Sequence, residues 1–413
     1  MGLIARLLGR EQKSVSVLDL IPHIWGWGRE AKSGVTVNWS TALDVTTVFA
    51  CLQVLANGVS QVPLKLYLPK QGGGSTPATG HPLYRVLYRR PNRWQTSFEF
   101  RQTLVFHRGL CGNFYAFKNV VGGEIKELIP LTSRVAVKRN RDLSLTYCVT
   151  AEDGSQMDFP QEAIWHLRGP SWNSWSGLEV VKLAREAIGL AIATEDAHSL
   201  LHRNGGKPGG LYSIEGKLGE EQYKKLSAWI EEKIAGPNAG KDLILDNGAK
   251  YTPTMMKGVD AQHLETRRFQ VEEICRAFNV KPIMIGHADK TQTYASAEQM
   301  FLAHVVHTLS PWYEDLEQSI DVNLLAEDED TFAKFTVNAL LRGASEARAN
   351  FYSKALGAGG SPAWMTQDEV RGLEDLNPMG GDAAVLPKPT NVAPAGDAAD
   401  EPKPAKDDGD GSV

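Results

Sequence analysis

Two long helical segments with a small module strung between them constrain this chain more than any other feature. Ser176-Gly-Leu-Glu179 has capping-box spacing and opens a helix predicted from about 178 to 203, rich in Ala, Leu and Ile. Asn204-Gly205-Gly206-Lys207-Pro208 stops it. At about 1.5 Å per residue that helix is roughly 40 Å long, which is long for a compact domain. A second helix, from about 261 to 278, keeps helical spacing through Leu264, Val271, Ile274 or Cys275, and Phe278. The module between them carries a helix over 219–234 and a predicted hairpin. In that hairpin 243–246 faces 249–253 across Asn247-Gly248. The pattern is a tip carried on a stalk.

The preceding part of the chain switches period. A helix over about 43–59, with Thr41 and Asp44 at capping-box spacing, is followed by the strand VPLKLY and a helix over about 98–110. The alternation then becomes two. NFYAFKNV and IKELIPL flank Val121-Gly122-Gly123-Glu124; RVAVKRN and LSLTYCV flank a turn near 140–142; AIWHLRG closes the set. This predicts an α+β fold with a mostly antiparallel sheet. Beyond the second long helix, IMIGHADKTQTYAS reads as an irregular loop of about 14 residues, long enough to suspect function. A third long helix follows from about 297. Phe301, Val305, Leu309, Trp312, Leu316 and Ile320 form its apolar stripe, and Pro311 should kink it. A strand at 335–337 and helices at about 345–356 and from Thr366, boxed with Glu369, complete the pattern.

Charge limits what the chain can grip. Its 413 residues carry a net −5, of which the segment 381–413 holds −4, leaving −1 for the rest. A near-neutral body lacks the basic footprint of a tight nucleic-acid binder. The tail, rich in Pro, Ala, Gly and Asp, is predicted disordered. No apolar run approaches the roughly 18 residues of a membrane span. MGLIARLLGR reads as a short amphipathic arm that could dock on a partner. Cys51, Cys111, Cys148 and Cys275 form no CxxC pair, which fits free thiols in a reducing compartment.

Several near-motifs point toward enzymes and stop short. AGPNAGKD (235–242) ends like a P-loop, but Ala235 replaces the first Gly and Asp242 the magnesium-binding hydroxyl. It also follows a helix and precedes a strand, the reverse of a P-loop's setting, so it reads as a loop. His198 and His202 stand four apart without the Glu of a metalloprotease helix. His304 and His307 read as packed or interfacial. Asp321, Glu327, Asp328, Glu329 and Asp330 read as a solvated acidic run. Trp165, Trp172 and Trp175 read as core or interface. Arg267, Arg268 and Arg276, on the second long helix, read as intersubunit ion pairs in preference to DNA contacts. No catalytic residue, cofactor site or metal site is assigned.

The order of these elements, with HLRGPSWNSWSGLEVVKLAREAIGLA, NGGKPGGLYSIEGKLGEEQ, GPNAGKDLIL, DAQHLETRRFQVEEICRAFNVKP, TYASAEQMFLAHVVHTLSPWYEDLEQSI and LLRGASEARANFYSKAL, resembles the portal proteins of tailed double-stranded-DNA bacteriophages. The likeness is to the shorter, lambdoid-like kind of long-tailed phages and runs from about Trp39 to Pro387. GPNAGK itself looks like a recurrent loop of that family. The resemblance implies a cyclic ring, a dodecamer, at one capsid vertex, with no enzymatic activity of its own. It divides the chain into an N-terminal arm (1–38), wing (39–177), stem helix (178–204), clip (205–258), second stem helix (259–282), tunnel loop (283–296), wing helix and strand (297–343), crown (344–380) and acidic tail (381–413). It implies that Lys290, Thr291, Gln292 and Thr293 face passing DNA without reading its sequence. The implied partners are further copies of the chain, double-stranded DNA, the terminase large subunit, the major capsid protein and scaffold, and a head–tail adaptor, with no membrane. The implied place is the virion, after assembly in the host cytoplasm, from a phage, prophage or gene-transfer particle. GGSPA (359–363) departs from the family pattern and leaves the crown geometry open. The competing readings are a nucleotide-binding or metal-dependent enzyme, marked by ATP turnover lost in Lys241→Ala, and a different capsid or tail adaptor ring.

Overall fold

Side chains cap several of the helices, and the strands follow the period-two alternation. The computed structural model describes residues 29–70, 74–151, 153–203, 210–213, 219–234, 250–253, 259–287, 294–326, 330–337, 345–358, 362–374 and 376–387. The chain divides into two units, Met1–Thr336 and Val337–Val413.

In the first unit a ribbon of β1 (Arg29–Glu30) and β2 (Thr36–Val37) leads into α1 (Trp39–Asp44) and α2 (Thr46–Gln61). The cap of α1 is Asn38: its Oδ1 accepts from Thr41 N at 2.9 Å, and Thr41 Oγ1 accepts from Asn38 N at 3.0 Å. Thr41 is thus the third residue of this box and not the start of one with Asp44. The extended backbone of Val45 separates the two helices. The buried side of α2 holds Val48, Cys51, Leu52, Leu55, Ala56 and Val59. The hairpin β3 (Leu64–Pro69) and β4 (Ser75–Pro77) and the helix α3 (Pro82–Tyr88) follow. The next helix, α4 (Ser97–Cys111), is boxed by Thr96 and Glu99 and stopped by left-handed Gly112.

The alternating strands form two antiparallel sheets. β5 (Asn113–Val121) and β6 (Glu124–Pro130) turn through Gly122 and Gly123, both at positive φ. β7 (Arg134–Arg139), β8 (Leu145–Thr150) and β9 (Gln156–Pro160) make a meander. β10 (Ile164–Arg168) returns to the far edge of β5, giving the orders β10-β5-β6 and β7-β8-β9. Tyr115, Leu131, Tyr147, Val149, Phe159 and Ile164 from both sheets form a shared core.

The first long helix starts later than predicted and in two pieces, α5 (Val180–Leu183) and α6 (Arg185–Arg203), broken at Ala184. The expected Ser176–Glu179 box does not form. Glu179 sits at the cap position without a capping hydrogen bond, its carboxylate pairing with Lys182 Nζ at 4.0 Å, and Ser176 is used in a turn, its N–H donating to Asn173 Oδ1 and its carbonyl accepting from Ser171 Oγ. β11 (Gly210–Ser213) pairs antiparallel with β12 (Lys250–Pro253), and α7 (Glu220–Ile234) lies between them in sequence. The predicted partner of β12, 243–246, lies outside the described residues, as does the AGPNAGKD loop. The helix α8 (Val259–Ala277) packs on α6 and α2.

After a 3-10 turn at Pro282–Ile285, α9 (Tyr294–His304), a π-helical segment (Val305–Leu309) and α10 (Ser310–Asn323) form the third long helix. Its start precedes the predicted 297, and the π segment lies just ahead of Pro311, which has no N–H to continue the α ladder. Of the predicted stripe, Val305, Leu309, Leu316 and Ile320 are buried and Phe301 is exposed. β13 (Phe332–Phe335) lies three residues earlier than predicted and pairs with β3 in the order β13-β3-β4.

The second unit holds α11 (Ser345–Ala355) and α12 (Gln367–Leu373), the latter boxed by Thr366 and Glu369 as predicted. Tyr352 Oη donates to Glu374 Oε1 at 2.6 Å, and Asp368 accepts from the N–H groups of Met379 and Gly380. The segment predicted disordered from 381 begins with a 3-10 turn at Gly381–Ala384; residues 388–413 lie outside those described. Among the described residues, no helix is long and apolar enough to cross a membrane.

Candidate channel and intersubunit surfaces

The long helices leave the sheets through a junction of three glycines. Gly112 ends α4 at φ +71°, and its carbonyl accepts from Gly169 N at 2.7 Å. A Cβ on Gly177 would stand 1.9 Å from Gly112 O, and one on Gly112 would stand 2.1 Å from Leu178 O. Beside this junction Asn113 Oδ1 accepts from Gly177 N at 2.7 Å, while its Nδ2 donates to the carbonyls of Cys111 and Gly177. Those bonds fix Oδ1 as an acceptor, so His166 Nε2 donates to it and Nδ1 accepts from Tyr147 Oη. His166 is held neutral: burial, aided by the charge of Arg168, lowers its pKa to about 3.

The long helices expose large apolar side chains. Leu183, Leu190 and Leu200 on α5 and α6, and Phe269 on α8, are all exposed, Leu183 to 68%. Val306 in the π segment and Val322 on α10 are exposed as well, Val322 to 78%. Among the arginines read as intersubunit groups, Arg267 and Arg268 are exposed with no ion pair among the described residues, whereas Arg276 pairs with Glu273 Oε1 at 3.8 Å on its own helix. At about 100° per residue Arg267 and Arg276 point to opposite sides of α8, so the three do not form one cluster.

Lys290, Thr291, Gln292 and Thr293 lie outside the described residues, but both ends of their segment are anchored. Asn279, left-handed at φ +54°, donates through Nδ2 to His307 O at 3.2 Å, and its carbonyl accepts from Thr308 Oγ1 at 2.8 Å. The 3-10 turn after it ends at left-handed Gly286, and α9 begins at Tyr294. The irregular stretch predicted over 283–296 is therefore shorter, its flanks belonging to a turn and a helix.

The remaining candidates separate. His304 is buried with its Nδ1 unpartnered among the described residues, and burial together with Lys281 lowers its pKa; His307 is exposed. His198 is half-buried, and the side chain of His202 lies outside those described. No group of metal-ligating side chains occurs among the described residues. Asp321 is no solvated acid: it accepts from Ala333 N at 2.8 Å, and burial raises its pKa. Residues 327–329 lie outside those described. Trp165 is core, its indole N–H donating to Ser319 Oγ; Trp175 lies under the Arg139 guanidinium, and Trp172 is 92% exposed. Sequence reasoning missed the glycine junction and the Asn113–His166–Tyr147 chain. Gly112 alone was findable, as a C-terminal helix stop before an alternating strand.

The chain matches the family model described as "Phage portal protein" over residues 46–375. It is 30% identical over 400 residues to the probable portal protein of Streptomyces phage phiC31, covering 93% of this chain and 85% of that one. To the portal protein of Enterobacteria phage HK97 it is 29% identical over 361 residues, covering 85% and 83%. Its fold is similar to one in the neck of a native gene transfer agent particle computed with C12 symmetry, at TM-score 0.54 and 24% identity over 82% of this chain and 92% of that one. It is also similar to an HK97 family phage portal protein from Corynebacterium diphtheriae, at TM-score 0.55 and 17% identity over 77% and 99%. The chain belongs to the phage portal protein family.

Proposed function

We propose that copies of this chain close into a dodecameric ring at a single capsid vertex, through which double-stranded DNA is packaged and later ejected. The observation that carries the ring is the exposed apolar surface of α5, α6, α8 and α10. One subunit alone leaves Leu183, Leu200, Phe269 and Val322 in water, at about 25 cal/mol for each Å² that a neighbour would cover. A head-to-tail contact that closes by rotation covers the same surface on every copy. The C12 symmetry of the similar gene transfer agent neck supports twelve as the count.

Within that ring, 39–177 and 297–343 serve as wing, 178–204 and 259–282 as stem, 205–258 as clip and 344–380 as crown. Lys290, Thr291, Gln292 and Thr293 line the channel in this reading; the described elements on either side of their segment are tied together through Asn279 and Thr308. A body of near-zero charge suits a conduit, because each phosphate neutralised would add salt-sensitive grip. The clip docks the terminase large subunit during packaging and an adaptor afterwards. The wing meets the major capsid protein and scaffold. The family is structural and no catalytic role is proposed, the motor ATPase being a separate protein.

Light scattering on the purified protein, with electron-microscope averages of end-on views, tests the reading. A closed ring near twelvefold, with a channel that admits duplex DNA, is expected. A chain that stays monomeric across concentration, and also with capsid protein and scaffold present, would overturn it.

A further inference from the structure

Cys51 and Cys275 are 224 residues apart in sequence, yet their sulfurs lie 3.7 Å from one another. Cys51 is on the buried side of α2 and Cys275 is close to the end of α8; both side chains are fully enclosed. The Cys51 thiol donates to Cys275 Sγ. That bond favours the Cys275 thiolate, lowering its pKa, while Cys51, which keeps the proton and is buried, is pushed up. The two sulfurs are already in contact, so a sulfenic acid formed on one meets the other as its resolving thiol. The other two cysteines differ. Cys148 Sγ donates to Gln156 Oε1 at 3.8 Å, and burial pushes the Cys111 thiol up to about 12.

We propose that Cys51 and Cys275 form an oxidisable dithiol that closes to a disulfide under peroxide, bonding helix α8 to helix α2. From 3.7 Å, the sulfurs need to approach by less than about 2 Å to reach bonding distance. The Cys275 thiolate attacks one peroxide oxygen, giving a sulfenic acid and hydroxide. Cys51 sulfur then displaces the sulfenic oxygen, forming the S–S bond, and its proton leaves in water. Two thiols and one hydrogen peroxide become one disulfide and two waters. Peroxide is small enough to reach an enclosed pair during local opening, where bulky disulfide reagents are not.

The bond has a structural consequence. After Cys275 the chain makes the Asn279 turn and the 3-10 turn Pro282–Ile285, which itself packs on α2. Closure would fix the near end of the segment that holds Lys290 to Thr293. The dithiol stays open in a reducing interior and closes outside it. The thiol chemistry rests on the pair's own geometry; only the tie to the channel segment rests on the portal reading.

The test uses the full chain under native conditions. It is treated with hydrogen peroxide, its remaining thiols are alkylated, and it is digested without reduction for mass spectrometry. The expected product is one peptide pair joined through Cys51 and Cys275, reversed by dithiothreitol. It should form equally in the Cys111→Ala/Cys148→Ser variant, whose oxidised form should melt higher than its reduced form. A Cys51 and Cys275 that remain alkylatable after Cys148 has oxidised, or a link that forms only in denaturant, would overturn the proposal. Either result would identify two small apolar residues packed in a core.

Discussion

Gly177 has no room for a side chain. A methyl there meets the Gly112 carbonyl at 1.9 Å, and backbone cannot step aside as a flexible side chain can. Gly177→Ala should therefore destabilise the first unit by at least about 2 kcal/mol, read as a lower urea midpoint at unchanged slope. His166 makes a second residue-scale prediction. Its folded pKa is about 3 against 6.5 for an exposed histidine, so below pH 6.5 the unfolded chain takes up a proton that the folded chain refuses. Stability should be lost as pH falls from 6.5 toward 3, by about 1.4 kcal/mol per unit from this group. Unfolding measured between pH 7 and 4 should show an acid slope smaller by one proton in His166→Gln. An equal slope in both proteins would mean that His166 is charged in the fold.

At the scale of elements, α10 guards the open edge of the β13-β3-β4 sheet. Asp321 accepts from Ala333 N, and Glu317 accepts from Phe335 N at 2.6 Å and from Lys334 Nζ at 3.2 Å. Four residues of helix rise about 6.0 Å and two residues of strand about 6.6 Å, so the two carboxylates match the spacing of the outward amides. Edge amides held this way cannot template another strand. Glu317→Ala leaves a buried N–H without a partner and should cost about 1–3 kcal/mol, seen as a lower melting temperature. Glu317→Gln, which keeps an acceptor, should lose less. This device also shows what a sequence hides. The strands around Gly122-Gly123, the helix over 98–110 and the helix after Thr366 were legible, because turn, period or, at Thr366, cap is set within ten residues. Asp321 was misread as part of a solvated acidic run, since its partner belongs to a strand that must first fold onto β3. The Ser176–Glu179 box failed similarly: the spacing was right, but Ser176 is bound into the turn with Ser171 and Asn173. The stripe through the third long helix was legible where α geometry holds. It slipped at Phe301, because the π segment after His304 changes the phase that spacing assumes.

For the whole molecule, assembly should depend on the outer faces of the long helices. Phe269→Asp should leave the far-UV circular dichroism of the subunit unchanged while light scattering shows loss of the ring. Reversing charge at Arg267 and Arg268 together, to Glu, should weaken assembly, and more so at low salt, because partly exposed ion pairs are screened within about 10 Å at 0.1 M. A ring indifferent to both changes would place the subunit contact elsewhere. The family was legible in the order of elements, since a stalk of two helices around a small tip is rare in a compact domain. The exposed apolar faces were not, because the same Leu and Phe spacing describes a helix buried in its own core.

The pairing of β13 with β3 also sets a clock. Phe335 lies opposite Leu64, and Tyr313 Oη reaches back to Gly58 O at 2.8 Å. At about 5–20 residues per second, a ribosome needs on the order of tens of seconds to travel from one strand to the other. Throughout that interval β3 has an open edge and α2 lacks part of its cover. A nascent subunit thus completes its sheet only after residue 335 has emerged, and no partly made chain can present a finished β13-β3-β4 sheet to a neighbouring copy.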